Sequence, residues 1–232
     1  MSDALPPESS IPSTLSDRSG VTDAVRAQIL ATEHWSLLAT RSMTWNEVFS
    51  RASMFITVLS AAVVALALVA QATAFGSAFY TFALLTLPIV LLVGLATLIR
   101  LSDANGEDFW LVSGMNRLRH GYLELAPELE PYFVTEHHDD ETSVMASYGL
   151  GARLRLSRIL AGTPNIVAAI NILVFGVFAA LVAQTLGASD QVALVVGLVA
   201  AFLAAVGLAA LGFQAIRRGM RMHHPRFPRQ SV

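Results

Sequence analysis

Two long uncharged stretches dominate the pattern of hydrophobic and polar positions along the chain. Between Arg51 and Arg100 lie forty-eight residues without a charge or a histidine, whereas one helix needs only about 20 residues to cross the hydrocarbon of a bilayer. The run is therefore expected to double back. It predicts two transmembrane helices, at about 53–72 and 78–99, separated by the more polar stretch 71–77.

The second stretch, 159–216, is interrupted by one charge, that of Asp190. It predicts two further spans, at about 164–186 and 191–214, joined by a turn at 187–190, where the sequence is Gly-Ala-Ser-Asp. The predicted fold class is therefore all-α. We expect a polytopic membrane protein with four transmembrane helices in two hairpins, plus cytoplasmic amphipathic helices.

Arginine lies on one side of every predicted span, and basic residues are retained on the cytoplasmic side when helices insert. Neither turn between paired spans contains an arginine. Both termini are therefore predicted to be cytoplasmic. All fifteen basic residues are arginine, which favours GC-rich coding and a bacterial cell (inner) membrane. The arginines nearest the spans are Arg41, Arg51, Arg100, Arg117, Arg119, Arg153, Arg155, Arg158, Arg217, Arg218 and Arg221.

Small residues recur at four-residue spacing in two of the spans. Helices in a bilayer associate by close backbone approach, because lipid tails are as apolar as leucine. The stripes therefore predict helix-packing surfaces, with the partner either in the same chain or in a neighbouring protomer. They comprise Ser53, Thr57, Ala61 and Ala65 in the first span, and Ala193, Gly197, Ala201, Ala205 and Ala209 in the fourth.

Two apolar seams lie outside the spans, with members at alternating three- and four-residue intervals. Thr22 or Asp23 is expected to cap the first cytoplasmic helix, and Asn105 the second. The seams are predicted to pack against each other or against copies of themselves; helices lying flat in the headgroup layer are the alternative. Their members are Trp35, Leu38, Trp45 and Phe49 in the first helix, and Leu111, Met115, Leu118 and Tyr122 in the second.

Composition agrees with a membrane protein, because 54% of the residues are hydrophobic and 14% are charged. The absence of cysteine excludes disulfides and Cys-based metal sites. The predicted organisation is a disordered cytoplasmic tail at 1–21, a cytoplasmic helix with the first hairpin at 22–103, a cytoplasmic helical segment with an acidic loop at 104–158, the second hairpin at 159–216 and a basic cytoplasmic tail at 217–232.

The segment GMNRLRHGYLELAPELEPYFVTEHHDD, residues 114–140, resembles a stretch of four-span bacterial membrane proteins to which no activity is assigned. The resemblance extends, more loosely, from about Glu33 to Tyr148, and it implies a topology without a mechanism. In layout alone, the chain is also similar to the short-hairpin membrane effector modules of nucleotide-signalling defence systems, in which a cytoplasmic helix precedes two spans.

The acidic loop 136–141 holds the densest group of chemically active side chains. Imidazole and carboxylate are good ligands for zinc, manganese or iron, although adjacent histidines are a poor match to the spacing of rigid metal sites. A metal site here requires the loop to meet His120 or Glu124. The candidate ligands are His137, His138, Asp139 and Asp140.

The basic tail carries arginine and histidine without a carboxylate. Arg217, Arg218 and Arg221 are predicted to attract anionic lipid headgroups, at about 1 kcal/mol per basic residue. Pairing of the tail with the acidic loop is an alternative. Nucleic acid is not an expected partner, because the patch is short and adjoins the bilayer.

No cofactor is expected, because the sequence contains no phosphate-binding loop, nucleophile elbow, HExxH motif or dinucleotide fingerprint. The spans also lack the intramembrane charges typical of proton-driven transporters. The predicted function is a non-enzymatic, homo-oligomeric scaffold or effector. The alternatives are an ion or small-solute channel, and a membrane-bound metal-dependent enzyme that uses the acidic loop.

Overall fold

The computed structural model describes residues 20–149 and 162–229, and within these ranges the protein is all-helical, with no strand. Arg153, Arg155, Arg158 and nearly all of the predicted disordered tail lie outside the described residues. Four helices, all except α3, are long and apolar enough to cross a membrane. The helices are α1 (Asp23–Thr73), α2 (Ser77–Leu125), α3 (Glu141–Ser147), α4 (Thr163–Thr185) and α5 (Asp190–Met222), with a 3-10 helix at Pro127–Tyr132.

Each of the first two helices is continuous and far longer than a membrane span. α1 has 51 residues and α2 has 49, so each is roughly 75 Å long. Thr22 caps α1, its side chain accepting a hydrogen bond from the backbone N–H of Val25 at 3.4 Å. The helix start expected at Asn105 is wrong, because Asn105 lies inside α2. A capping side chain acts only where the preceding backbone leaves the helix, and here it stays helical.

α1 and α2 pack antiparallel along their length. Arg100 pairs with Glu47 at 2.8 Å, and farther from the connecting turn Leu37 lies over Gly114. The portions beyond the Glu47–Arg100 pair form a two-helix stalk, which we define as residues 23–46 of α1 and 101–125 of α2. The α1 portion of the stalk extends about 36 Å past the pair, at about 1.5 Å per residue.

The apolar parts of α1, α2 and α4 share one core centred on Gly94 of α2. A Cβ atom on Gly94 would clash with the side chains of Asn171 of α4 and Phe55 of α1. Glycine therefore permits the three helices to approach this closely. Asn171 is buried, and its Nδ2 donates to the carbonyl of Val167 at 2.9 Å. The buried apolar residues of this core are Val48, Phe55, Ala62, Leu87, Val90, Leu101, Ala104, Val167 and Val174.

α5 packs against α4 through two glycines that face each other. A Cβ atom on Gly197 would lie 2.8 Å from the carbonyl oxygen of Gly176 and 3.0 Å from the Cβ atom of Ala180. The first part of the predicted small-residue stripe on the fourth span therefore lies against α4 of the same chain. Along that stripe, Ala193 and Gly197 are buried, Ala201 and Ala205 are half-buried, and Ala209 is exposed.

The small-residue stripe predicted on the first span does not face the other helices of this chain. Ser53, Thr57 and Ala61 are exposed, and Ala65 is half-buried. The large side chain of Phe55 occupies the contact with α2 instead, because Gly94 leaves room for it. Small residues at this spacing therefore do not identify the partner within the chain.

The seam predicted on the stalk portion of α1 also faces away from α2. Trp35 is 72% exposed, Leu38 is 42% exposed and Phe49 is 48% exposed, whereas Leu37 and Val48 pack towards α2. At about 100° per residue, the face of α1 that contacts α2 lies roughly a quarter turn around the helix from the predicted seam. The expectation that these three residues pack against the second seam is therefore corrected, and their packing against a second copy stays a prediction.

The structure agrees better with the seam predicted on α2 than with the seam predicted on α1. Met115 is buried beneath α3, in a small apolar cluster with Val112 and Val144. The other predicted members, Leu111, Leu118 and Tyr122, are half-buried. Trp45 of the first seam is also half-buried, because its indole reaches back to α2, as described below.

Candidate functional site

Segments that are distant in sequence cover one side of α2 within the stalk, from Asp108 to His120. Residues 126–149, which contain the 3-10 helix and α3, fold back over α2, and residues 223–229 lie against them. We call these two segments together the cap. Their polar groups converge on Asp108, Asn116 and Asp139, which are 3%, 0% and 0% exposed, respectively.

Asp108 joins α1, α2 and the residue that follows α3. Its Oδ1 accepts hydrogen bonds from Arg41 Nε at 2.7 Å and Trp45 Nε1 at 2.8 Å. Its Oδ2 accepts from Arg41 Nη2 at 3.2 Å and from the Tyr148 hydroxyl at 2.8 Å. Burial, and then the hydrogen bond to Asp108, raise the pKa of Tyr148, so the hydroxyl remains a donor. Both oxygens of the buried carboxylate are therefore satisfied.

Asn116 fixes the acidic loop and α3 to α2. Its Nδ2 donates to the carbonyl oxygen of His138 at 2.8 Å. Its Oδ1 accepts from Arg119 Nη1 at 2.7 Å and from Ser147 Oγ at 3.1 Å. One buried amide thus satisfies groups from three parts of the chain, and the loop cannot shift without breaking these bonds.

Asp139 holds the C-terminal segment by its backbone. Its carboxylate accepts from the N–H of Arg226 at 2.9 Å and from the N–H of Phe227 at 2.8 Å. The backbone N–H of Asp139 donates to the carbonyl of Phe227 at 3.3 Å, and its carbonyl oxygen lies 2.6 Å from His223 Nε2. Arg117 Nε donates to the same carboxylate at 2.6 Å, so a cation compensates its burial.

The neighbouring carboxylates hold the end of the same segment. Asp140 Oδ1 accepts from the backbone N–H of Arg229 at 3.2 Å, and both Glu136 oxygens lie 3.1 Å from Arg229 Nη2. Asp140 also caps α3, accepting from the N–H and the hydroxyl of Ser143. The acidic loop and the basic tail are therefore paired in this structure, which is one of the two arrangements considered for the tail.

The electrostatics of the loop keep these carboxylates ionised. Burial on its own raises the pKa of Asp139, but the backbone N–H groups of Arg226 and Phe227 and the Arg117 guanidinium outweigh it, so the pKa lies below its usual value. The pKa of Asp140 is also lowered: burial opposes the shift, and hydrogen bonds from Ser143 and Arg229 overcome it. Both groups therefore act as acceptors at neutral pH.

Aromatic and imidazole rings also join the C-terminal segment to α2. The Phe227 ring stacks on His120 with centroids 4.4 Å apart. The imidazole of His223 meets Phe109 and Trp110 edge-on, with centroids 5.1 and 5.3 Å away. The segment is thus held by ring packing at two points as well as by hydrogen bonds.

The acidic loop does meet His120, as a metal site would require. The rings of His137 and His138 each lie 6.1 Å from the ring of His120. His120 and His137 line a cavity of about 180 Å³ together with Glu124 and Glu130. Burial, followed by the nearby His138, lowers the pKa of His137 and favours its neutral form.

The described part of the chain nevertheless contains no group of three His, Asp or Glu side chains arranged to hold a metal ion. Asp139 and Asp140 direct their carboxylates at the C-terminal segment instead. The metal site at His137, His138, Asp139 and Asp140 therefore stays a prediction. Metal analysis of the purified protein would test it.

The predicted lipid-binding arginines lie at the end of α5. Arg217 and Arg218 are exposed, and the Arg217 guanidinium lies 4.4 Å from the centre of the Phe213 ring. The side chain of Arg221 lies outside the described part of the structure. Lipid binding by these residues stays a prediction.

The sequence-based search for functional residues missed Asp108 and Asn116. Asp108 comes one helical turn before the seam of Leu111 and Met115, and Asn116 lies beside Met115. A charged or amide group so close to an apolar seam indicates a buried partner, because an unpaired buried polar group is costly. That signal was available, but it could not identify Arg41, Trp45 or Tyr148 as the partners.

Comparisons with protein-family models, with curated proteins and with solved structures give no match to this chain. The functional conclusion therefore rests on the molecule's own geometry: four apolar helices suited to a membrane, a stalk beyond them, and a cap fixed by buried polar groups.

Proposed function

We propose that the protein crosses a bacterial inner membrane as two hairpins, with both termini, the stalk and the cap in the cytoplasm. The support is the distribution of charge. Arg51 and Arg100 lie at the base of the stalk, and Arg217 and Arg218 follow the apolar part of α5, whereas Asp190 lies at the opposite end. Arginine is retained on the cytoplasmic side during insertion, so the stalk side is assigned to the cytoplasm.

In this topology the protein acts as a homo-oligomeric scaffold or effector that assembles through α1. The observation that carries this proposal is an exposed apolar face of α1, formed by Trp35 and Leu38 in the stalk and by Phe49 just below it. A contiguous exposed apolar face on an otherwise charged segment is typical of an interaction surface. The cap and α2 do not cover it in the chain described here.

Lipid is a poor candidate to cover this face. Trp35 and Arg51 lie on one continuous helix, and their separation is about 24 Å at about 1.5 Å per residue. The headgroup layer of one leaflet is only about 5 to 8 Å thick. Trp35 therefore extends past the headgroups, and another protein surface is the partner that can exclude water from it.

A second copy of α1 fits because the same face continues into the membrane. Ser53 and Thr57 lie at the start of the span on the same side of α1 as Leu38 and Phe49, and both are exposed. Small residues there allow a neighbouring helix to approach closely within lipid. A two-fold symmetric contact would pair the aromatic part with itself in the cytoplasm and the small-residue part with itself in the bilayer.

The test is the oligomeric state of the purified protein in nanodiscs or mild detergent, measured by native mass spectrometry. The wild-type protein should be an oligomer, and the double variant Trp35→Ser, Leu38→Ser should shift it to monomer. Met43→Ser is the matched control, because Met43 is 65% exposed but lies on another face of α1. It should leave the oligomer unchanged.

A monomeric wild-type protein across the accessible concentration range would exclude assembly through α1. Dissociation by Met43→Ser to the same extent as by the double variant would show that the effect is not specific to the proposed face. Planar-bilayer recordings on the same preparation would distinguish a scaffold from a channel, since a scaffold should give no conductance.

A further inference from the structure

We propose that residues 136–140 and His120 form a binding groove for a basic segment, that residues 223–229 occupy it reversibly, and that an anionic membrane surface competes for the same segment. This proposal does not depend on assembly through α1. The groove is formed by Asp139 and Asp140 with Glu136 at its edge and His120 on its floor.

The groove recognises main chain largely through side-chain carboxylates. Asp139 offers both its carboxylate and its own backbone, and these reach the N–H groups of Arg226 and Phe227 and the carbonyl of Phe227. Main-chain hydrogen bonds give affinity in such contacts, and flanking side-chain sites set the register. Here the flanking contacts are Arg229 on Glu136 and the Phe227 ring on His120.

The sequence of the segment suits this groove closely. Pro225 and Pro228 have no N–H to donate, and each holds the preceding residue in an extended conformation. From 225 to 229 the N–H groups that remain are those of Arg226, Phe227 and Arg229, and all three donate to Asp139 or Asp140. The prolines therefore restrict the conformations of the segment, and its remaining N–H groups match acceptors in the groove.

The docked segment is placed so that it can leave. Pro225, Arg226, Pro228 and Arg229 are all exposed, and the pair between Arg229 and Glu136 lies at the surface. Only the Phe227 and His223 rings are half-buried. Dissociation would break the two ring contacts, but most of the interactions lost would be polar.

An anionic bilayer attracts the same chemical groups. Residues 217–232 contain five arginines and no carboxylate, and α5 brings them directly out of its apolar portion. Basic residues next to a membrane are drawn to anionic headgroups. The docked Phe227 lies on His120, about 30 Å along α2 from Arg100 at the base of the stalk. The headgroup layer is only about 5 to 8 Å thick, so the docked segment cannot bind headgroups at the same time.

The test measures the distance between the 3-10 helix and the chain end in the full-length protein. The chain has no cysteine, so Glu128→Cys on the exposed 3-10 helix and Ser231→Cys can carry a pair of spin labels. In phosphatidylcholine nanodiscs, pulsed electron paramagnetic resonance should show a single short-distance population, because Ser231 follows the docked Arg229 by two residues. Adding phosphatidylglycerol should produce a second, longer and broader population, and high salt should remove it.

Two substitutions should move the populations in opposite directions. Glu136→Gln removes the charged partner of Arg229, and it should raise the ratio of undocked to docked segment about two- to fivefold in both lipids. Arg226→Gln removes an exposed charge that the groove does not use, and it should lower that ratio about fivefold in the anionic lipid. Glu141→Gln, in the same loop and exposed, should change neither.

Identical distance distributions in the two lipids would overturn the competition. A long, broad population for the wild-type protein in phosphatidylcholine would overturn the docking itself. Asp139→Asn should abolish the short distance, and a short distance that persists in this variant would show that the groove is not what holds the segment. Glu136→Gln lies at the surface and does not require a buried group to change, so it keeps the proposal testable should Asp139→Asn fail to fold.

Discussion

Asp108, Asn116 and Asp139 are buried beside their hydrogen-bond partners. The apolar cluster beneath the cap is small by comparison, with Val112, Met115 and Val144 as its buried members. At the residue scale, the position of the cap is therefore set mainly by directional polar contacts. Loss of one partner leaves another buried group unsatisfied, which costs more than the bond itself contributed.

Asp108→Ala should lower the free energy of unfolding by about 3–5 kcal/mol, because it leaves Arg41, Trp45 and Tyr148 without their shared acceptor. Tyr148→Phe removes one donor and should cost about 1 kcal/mol. Denaturant unfolding followed by tryptophan fluorescence would report both, since the Trp45 indole donates to Asp108. Asp103→Ala, exposed on the same helix, is the control. Equal effects of Asp103→Ala and Asp108→Ala would contradict the role given to Asp108.

Acidification should release the C-terminal segment from Asp139. The pKa of Asp139 is lowered in the folded protein, so the ionised carboxylate stabilises the docked segment fully at any pH above the ordinary carboxyl pKa of about 4. This stabilisation is lost as the pH falls through the lowered pKa. Hydrogen exchange of the Arg226 and Phe227 amides, corrected for intrinsic rates, should show protection at neutral pH and no protection at a pH below the lowered pKa of Asp139. Protection that is unchanged by acid, or by Asp139→Asn at neutral pH, would contradict this.

At the scale of elements, glycine determines where the membrane helices meet. Gly94→Ala should destabilise the protein by about 1–3 kcal/mol, because its Cβ would press against Asn171 and Phe55. Gly106→Ala, also inside α2, has nothing within 4 Å of the new Cβ, and it should be neutral or stabilising by up to about 1 kcal/mol. Thermal unfolding in detergent would compare the two. Similar melting temperatures for both variants would contradict the close packing around Gly94.

The length of α1 and α2 also has consequences at this scale. Each helix passes from the apolar segment into the stalk without a break, so the orientation of α1 about its axis in the apolar part also fixes the directions in which Trp35 and Arg41 face. The same continuity explains why Asn105 does not begin a helix: the contacts on both sides of it favour extending α2.

For the whole molecule, the proposed topology places the stalk and the cap on one side of the membrane and both turns on the other. Reporter domains inserted after Phe75 and after Ala188 should be active only as periplasmic reporters, and a reporter after Val232 only as a cytoplasmic one. The asymmetric placement of arginine is the physical reason. Cytoplasmic activity at both turns would contradict the topology and the assignment of the cap to the cytoplasm.

Four membrane-length helices could be predicted from the order of the residues alone, because a lipid environment demands long uncharged segments whose backbone hydrogen bonds are satisfied internally. The span limits predicted at 72, 78, 186 and 191 come from the polar turns between the spans, and each lies within one residue of a helix end, at Thr73, Ser77, Thr185 and Asp190. The pairing of acidic loop and basic tail was foreseeable as an option, since opposite charges flank the second pair of helices.

Three-dimensional contacts were needed to learn which side of α1 is buried and where the tail lies. Arg41 faces α2 because Asp108, 67 positions away, supplies a buried acceptor, and this rotates Trp35, Leu38 and Phe49 outwards. Phe227 lies on the acidic loop because Asp139, 88 positions earlier, presents acceptors at the right spacing. The local spacing of apolar residues does not depend on such distant partners, so it could not predict these contacts. A membrane span must be apolar whatever its partners, so each span could be predicted from its own residues.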